Sequence, residues 1–177
     1  PALFDLGIPV LGICYGMQLM AHMLGGGVKG SSRREYGQTE VRIDDFTDLF
    51  AGFDNSPHID VWMSHGDKIQ TLPPGFNAIA HSKNSPIAAI KDNNAKIFGV
   101  QFHPEVAHTP RGMGILKNFL YEVCGCLPNW TMESFINSSI IEIKKKLRGE
   151  RIVCALSGGV DSSVVAALLH RAVGDQL

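Results

Sequence analysis

Pro9-Val10-Leu11-Gly12-Ile13 runs straight into Cys14-Tyr15-Gly16, and Met17, Met20, Ala21 and Leu24 then recur at helical spacing. A short apolar run of this kind suits a strand buried in a parallel sheet, and the spacing after it predicts a helix over 15–24. Strand, sharp turn and helix in direct succession commit the chain to layered α/β packing. Gly25-Gly26-Gly27 ends the helix. The turn, Gly12-Ile13-Cys14-Tyr15-Gly16, is the thiol version of the Gly-x-Ser-x-Gly elbow. Its flanking glycines are expected to remove Cβ clashes, so that the nucleophile projects over the strand's C-terminal edge. Cys14 then starts a helix, where the dipole and free N–H groups favour thiolate and lower the thiol pKa. The N–H of Tyr15 is placed to donate to an oxyanion. On the five residues alone a second reading stays open, since a free cysteine is commonly one more small buried hydrophobe.

Strand patterns follow at 59–63, 76–81, 86–91 and 96–102, separated by Gly, Pro, Asn and Asp turns. The last of them delivers Gln101-Phe102-His103-Pro104-Glu105. A histidine just beyond a strand end lies where site residues gather in a parallel sheet. A base that takes a cysteine proton must itself be oriented, and Glu105 stands two residues on to do so. His22, His58, His81 and His170 read as packed or surface side chains, His65 reads either way, and the spacing of His108 suggests no role. A helix is expected over 112–123, with Ile115, Leu116, Phe119, Leu120 and Val123 on one face.

Gly125-Cys126-Leu127-Pro128-Asn129 is the best domain boundary. Beyond it, 131–148 reads as an amphipathic helix with Phe135, Ile136, Ile140, Ile143 and Leu147 along its stripe. Lys144, Lys145, Lys146 and Arg148 fall in its last turns, where cations complement the dipole, and they read as a solvated helix end. Gly149 stops it, and 151–156 is expected to form a buried strand. That strand would lead into Ser157-Gly158-Gly159-Val160-Asp161-Ser162-Ser163 and a further helix. Paired glycines at a helix start let several N–H groups converge on phosphate oxygens, and the serine hydroxyls add donors. Asp161 is expected to fix the loop or help place Mg²⁺. The Gly-Lys-Ser/Thr ending of a Walker A loop is absent, and so is the Gly-x-Gly-x-x-Gly dinucleotide turn. A plain Ser/Gly helix cap is the bland alternative.

Bulk properties narrow the partners. The chain has 177 residues with 16 basic and 17 acidic side chains, net charge −1, so nothing electrostatic argues for nucleic acid or an anionic membrane. No apolar run is long enough for a membrane span. Its four cysteines, Cys14, Cys124, Cys126 and Cys154, form no CxxC pair, and the histidines form no His-x-x-x-His, so no structural metal is expected. Reduced thiols fit a cytoplasmic protein. The start at Pro1 and the end inside a helical pattern read as an internal fragment.

Gly12-Ile13-Cys14-Tyr15-Gly16-Met17-Gln18, Met63-Ser64-His65-Gly66-Asp67 and Gly99-Val100-Gln101-Phe102-His103-Pro104-Glu105 together resemble the class I, triad-type glutamine amidotransferases over roughly residues 1–126. The resemblance implies a flavodoxin-like mixed sheet flanked by helices, lacking its first strands here. It also implies Cys14 as nucleophile, His103 as acid–base, Glu105 as orienting carboxylate and a γ-glutamyl thioester. Gln18, Ser64 and His65 would help hold glutamine. A second oxyanion N–H is expected from a Gly-rich loop before residue 1.

Ser157 to Ser163 resembles the PP-loop of the N-type ATP pyrophosphatases, which makes 127–177 the expected start of such a domain, an adenine-nucleotide α-hydrolase-like βα unit. The order of the two parts, with Arg33-Arg34-Glu35-Tyr36-Gly37, Trp62 to Asp67 and Gly174-Asp175-Gln176-Leu177, resembles the glutamine-hydrolysing GMP synthetase family. That implies a ligase using glutamine, MgATP and XMP, with a homodimer formed through a further C-terminal domain. The rival classes are the glutaminase part of another amidotransferase and a non-catalytic piece that binds at most a nucleotide phosphate.

Overall fold

The computed structural model describes residues 2–93 and 96–177; the side chains of residues 31–33, including the Arg33 of the Arg33–Gly37 segment, lie outside the described set. Two compact units result, Pro1–Cys126 and Leu127–Leu177. The first is built on six strands: β1 (Val10–Ile13), β2 (Gly27–Ile43), β3 (His58–Thr71), β4 (Phe76–Ser82), β5 (Ala89–Asp92) and β6 (Ile97–Val100). Their order is β1-β6-β5-β4-β2-β3. Only the β1–β6 pair is parallel among the described pairings; the remainder run antiparallel, so the sheet is mixed, as expected. Two helices serve this sheet, α1 (Tyr15–Met23) and α2 (Gly112–Asn118), and a π-helical turn, Phe119–Val123, extends the second.

Burial divides into two clusters. Met17, Met20 and Ala21 of α1 pack with Ile69, Ile90 and Ile97. Ile115 of α2 joins Val41, Ile59, Val61, Met63, Phe98, Val100 and Phe102. Strand residues that alternate between the two faces feed both clusters, and β3 reads buried–exposed almost without a break from Ile59 to His65. At the start of α2 a Cβ on Gly112 would lie 1.9 Å from the Pro104 carbonyl oxygen, so glycine alone lets this helix begin against the His103-Pro104 turn.

Three sequence expectations need correction or extension. The helix expected over 112–123 is α-helical only to Asn118 before the wider turn. The 17-residue β2, which pairs with both β3 and β4, has no counterpart among the expected strands. Residues 151–156 form no strand: Val153 is 97% exposed, and no described strand lies alongside to complete a ladder. One backbone bond, Ile152 N–H to the Gln176 carbonyl (2.8 Å), holds this stretch.

The second unit is a helix pair, α3 (Met132–Leu147) and α4 (Val160–Val173). α3 opens with a reciprocal cap: Thr131 Oγ1 accepts from Ser134 N–H at 3.0 Å, and Ser134 Oγ accepts from Thr131 N–H at 2.9 Å. Met132, Phe135 and Ile136 face Val164, Ala167 and Leu168 across an apolar cleft. Ala172 alone is fully buried in this unit.

Candidate active site

Parallel pairing of β1 with β6 builds the site. The register sets Ile13 beside Val100, so the residues that leave the two strands at the same edge are Cys14 and Gln101. Cys14 N–H donates to the Val100 carbonyl at 2.8 Å, which ties the turn to the neighbouring strand. Cys14 itself has φ 50° and ψ −107°, a conformation few non-glycine residues adopt and one found where a nucleophile is thrust out of a strand–helix turn. A Cβ on Gly12 would lie 2.8 Å from Met17 N and 2.9 Å from Gly16 C, so the first glycine of the elbow is obligatory. A Cβ on Gly16 meets nothing within 4 Å, and the expectation that both flanking glycines relieve clashes holds for Gly12 only.

The half-buried thiol donates to the Ser64 carbonyl at 3.7 Å and receives the side-chain N–H of Gln101 at 3.7 Å. Burial pushes the thiol up; the N–H of Tyr15 and the amide of Gln101 pull it down, and the charge of Glu105 adds to the rise. Burial outweighs the donors, so the thiol lies above its ordinary value, not below it as its position at a helix start suggested. The Tyr15 N–H nonetheless lies beside the sulfur and donates toward it.

His103 Nδ1–H donates to Glu105 Oε1 at 2.7 Å, which fixes the tautomer and leaves Nε2 as the basic nitrogen. The histidine's backbone is anchored on both sides. Its N–H donates to the Trp62 carbonyl (3.0 Å), and its carbonyl accepts the hydroxyl of buried Thr109 (2.6 Å). Trp62 N–H donates in turn to Thr109 Oγ1 (3.0 Å), closing a three-way clamp between β3 and the His103 loop. His108 stacks on Trp62 with centroids 4.5 Å apart, which gives it a place that spacing did not reveal.

Gln18 is 8% exposed, and its Nε2 donates to the Asp67 carbonyl (2.8 Å) and to Gln101 Oε1 (3.0 Å). Its own amide carbonyl is the end that can accept from a ligand. His65 Nδ1–H donates to the same Asp67 carbonyl at 2.9 Å, and Nε2 lies 3.2 Å from Glu35 Oε2, an ion-pair contact without the alignment of a hydrogen bond. Glu35 is 4% exposed and also accepts from Ser82 Oγ (2.8 Å) and from Ser85 Oγ. Burial pushes its carboxyl up, but the His65 imidazole beside it and the hydroxyls of Ser85 and Ser82 together bring it below the ordinary carboxylate range. His65 is therefore a buried strut, while Ser64 presents its backbone carbonyl to the nucleophile.

Sequence reasoning assigned no role to Gln101 or Thr109. A polar residue at the end of an otherwise apolar strand was the available signal for Gln101; nothing local marks Thr109.

In the second unit the loop from Ser157 to Ser163 leads into α4 with Gly159 as its cap and Gly158 at φ 84°. Its hydroxyls serve one another: Ser157 Oγ and Ser162 Oγ lie 3.0 Å apart, and Ser162 and Ser163 both donate to the Gly159 carbonyl (3.0 and 2.8 Å). Val160 and Asp161 occupy the first turn. Among the described residues no group of three His, Cys, Asp or Glu side chains converges as a metal site. Likewise, no helix among them is long and apolar enough to cross a membrane.

A family model for class-I glutamine amidotransferases matches residues 1–123, and one for the tRNA methyl transferase HUP domain matches residues 150–176. A GMP synthase (glutamine-hydrolyzing) of Synechococcus is 52% identical over 177 residues, covering 100% of this chain and 33% of that protein. The enzyme of the same name from Thermomicrobium roseum is 58% identical over 174 residues, 98% of this chain and 32% of its own length. The chain thus spans about a third of the curated relatives it matches. Among solved structures, a protein from Thermoplasma acidophilum described as one of the subunits of a GMP synthase is 34% identical with a TM-score of 0.66, covering 70% of this chain and 60% of that one. A glutamine amidotransferase from Thermotoga maritima is 25% identical with a TM-score of 0.54, covering 98% and 66%.

Proposed function

This chain belongs to the class-I glutamine amidotransferase family, and on that premise we propose that residues 1–126 hydrolyse glutamine to glutamate and ammonia with Cys14 as nucleophile. One observation carries the reading: a cysteine forced to positive φ on a strand–helix turn, beside the parallel strand that ends in a carboxylate-oriented histidine. Because the resting thiol is protonated, attack and deprotonation go together. The sulfur bonds to the amide carbon of glutamine while its proton passes to His103 Nε2. The oxyanion that forms takes the N–H of Tyr15. His103 then returns the proton to the leaving nitrogen, and ammonia departs from a γ-glutamyl thioester. Water, deprotonated by the same nitrogen, cleaves the thioester to give glutamate and the free thiol. Glu105 stabilises the imidazolium formed in both halves. Gln18, Ser64 and His65 border the glutamine site, Gln18 through its amide carbonyl and Ser64 through its backbone.

The longer protein is a glutamine-dependent ligase that makes GMP from XMP, a reading supported by the names and identities of its relatives. The loop Ser157, Gly158, Gly159, Val160, Asp161, Ser162 and Ser163 binds the phosphates of ATP. Its donors suit an anion: N–H groups at a helix start with hydroxyls around them. Asp161, the one carboxylate of that turn, would hold Mg²⁺ together with the phosphate oxygens. Mg²⁺ supplies charge neutralisation of the departing pyrophosphate. ATP adenylates the O2 of XMP with loss of pyrophosphate, and ammonia displaces AMP. The longer protein acts in the cytoplasm as a homodimer.

Cys14→Ala in the full-length protein tests the division of labour. Glutamine-dependent synthesis should fall at least about 10³-fold while synthesis from added ammonium persists. Equal loss of both would sink the two-site reading.

A further inference from the structure

A run of hydrogen bonds ends at the nucleophile, and its direction is fixed at the far end. The Asp67 carbonyl can only accept, so the Gln18 atom 2.8 Å away is its amide nitrogen. That same nitrogen faces Gln101 at 3.0 Å, so the Gln101 atom it meets is the amide oxygen. The other end of the Gln101 amide, which points at Cys14 Sγ from 3.7 Å, is then the N–H₂ group. Gln101 is fully buried, and its backbone N–H is held by the Ala88 carbonyl at 2.8 Å, so the amide cannot turn over without breaking the run. His65 Nδ1–H shares the Asp67 carbonyl, which pins the anchor from a second side.

We propose that Gln101 is a catalytic residue of the glutaminase site, donating its side-chain N–H to the Cys14 sulfur as thiolate develops, and that Gln18 is the positioning residue that keeps this donor facing the sulfur. The proposal rests on the glutaminase reading above, and it names a donor distinct from the Tyr15 N–H. The two donors share the resting sulfur, but the Tyr15 N–H also serves the oxyanion, whereas Gln101 stays with the sulfur. A charge-assisted N–H···S⁻ bond is stronger than its neutral counterpart, so its effect grows along the reaction coordinate. Gln101 already works against the burial that raises the resting thiol. The charged side chain acting on the sulfur, Glu105, is left untouched in the variants below.

The test follows the pH dependence of Cys14 alkylation by iodoacetamide in the full chain. It is read on the Cys14-bearing peptide by mass spectrometry so that Cys124, Cys126 and Cys154 do not contribute. Glutaminase kcat and KM are measured in parallel. Gln101→Met keeps the volume and removes the donor. The alkylation midpoint should rise by about one pH unit, and kcat near neutral pH should fall about tenfold with KM little changed. Gln18→Met frees the Gln101 amide to turn and should move the midpoint in the same direction by a smaller amount, whatever it does to KM. Unchanged midpoints in both variants overturn the proposal. Should Gln101→Met fail to fold, Gln18→Met decides alone by whether its midpoint rises. A wild-type chain that alkylates normally yet releases no ammonia from glutamine defeats the glutaminase reading, while the alkylation shift still reports on Gln101.

Discussion

The cysteine turn and the Ser157–Ser163 loop each lead directly into a helix, yet they are held in opposite ways. Around Cys14 the polar groups are buried and tied to distant parts of the chain: Gln101, Gln18, His65, Glu35 and Thr109 are at most 8% exposed, and each has a partner far off in sequence, Gln101 with Gln18, Gln18 with Asp67, His65 with Glu35, Glu35 with Ser82 and Ser85, and Thr109 with Trp62. In the second loop every hydroxyl bond stays within seven residues and the loop is exposed. Buried polar groups must be satisfied or they cost stability, so each one that is satisfied removes an alternative geometry. An exposed loop has water as a ready substitute. The nucleophile site is therefore preorganised, whereas the anion loop keeps its donors available for exchange to a ligand.

Three substitutions probe that contrast, beginning with the largest effect. Glu35→Gln removes the buried carboxylate that His65, Ser82 and Ser85 surround and should lower the stability of the first unit by about 3 kcal/mol in urea at pH 7. The sign of the pH effect follows from the depressed Glu35 carboxyl. Its contribution is present above the ordinary carboxylate range and lost as pH falls through the lower folded value, so wild-type stability should drop below about pH 4. The variant should lose that part of the slope; an equally steep acid limb in Glu35→Gln would mean the pair does not hold the site.

Thr109→Val keeps the shape and breaks the clamp on His103. We expect kcat to fall about tenfold with KM nearly constant, and Thr109→Ser to restore most of it. Failure of serine to rescue would leave the methyl group, rather than the hydroxyl, as the anchor. In the second unit, Thr131→Ala should cost about 1 kcal/mol and fray only the first turn of α3, seen as faster amide exchange there with none gained in residues 1–126. Spread of that effect to the sheet would erase the distinction between a locally and a globally tied region.

Legibility from sequence followed the same divide. Patterns confined to neighbours in the chain were readable: the elbow, the His103–Glu105 spacing and the helical stripe of α1. β2 was not, because Gly27, Lys29, Gly30, Gly37 and its alternating charges break the apolar signature, and the strand exists through its long pairing with β3. Residues 151–156 show the converse, an apolar run with no partner strand among the described residues and hence no ladder. Thr109 and Gln101 owe their positions to register and to a loop that folds back, which no local window contains.

The β1–β6 pairing also sets a schedule. Eighty-seven residues separate Cys14 from Gln101, so a growing polypeptide holds its nucleophile long before it holds the donor and base. Closing so long a loop costs entropy that no single contact repays, and β6 is held on its other side by antiparallel pairing with β5. Until then Cys14 is an ordinary thiol on an unfinished edge. On the glutaminase reading, reactivity arrives with the closing strand, which makes completion of the sheet the moment at which the chain acquires its chemistry.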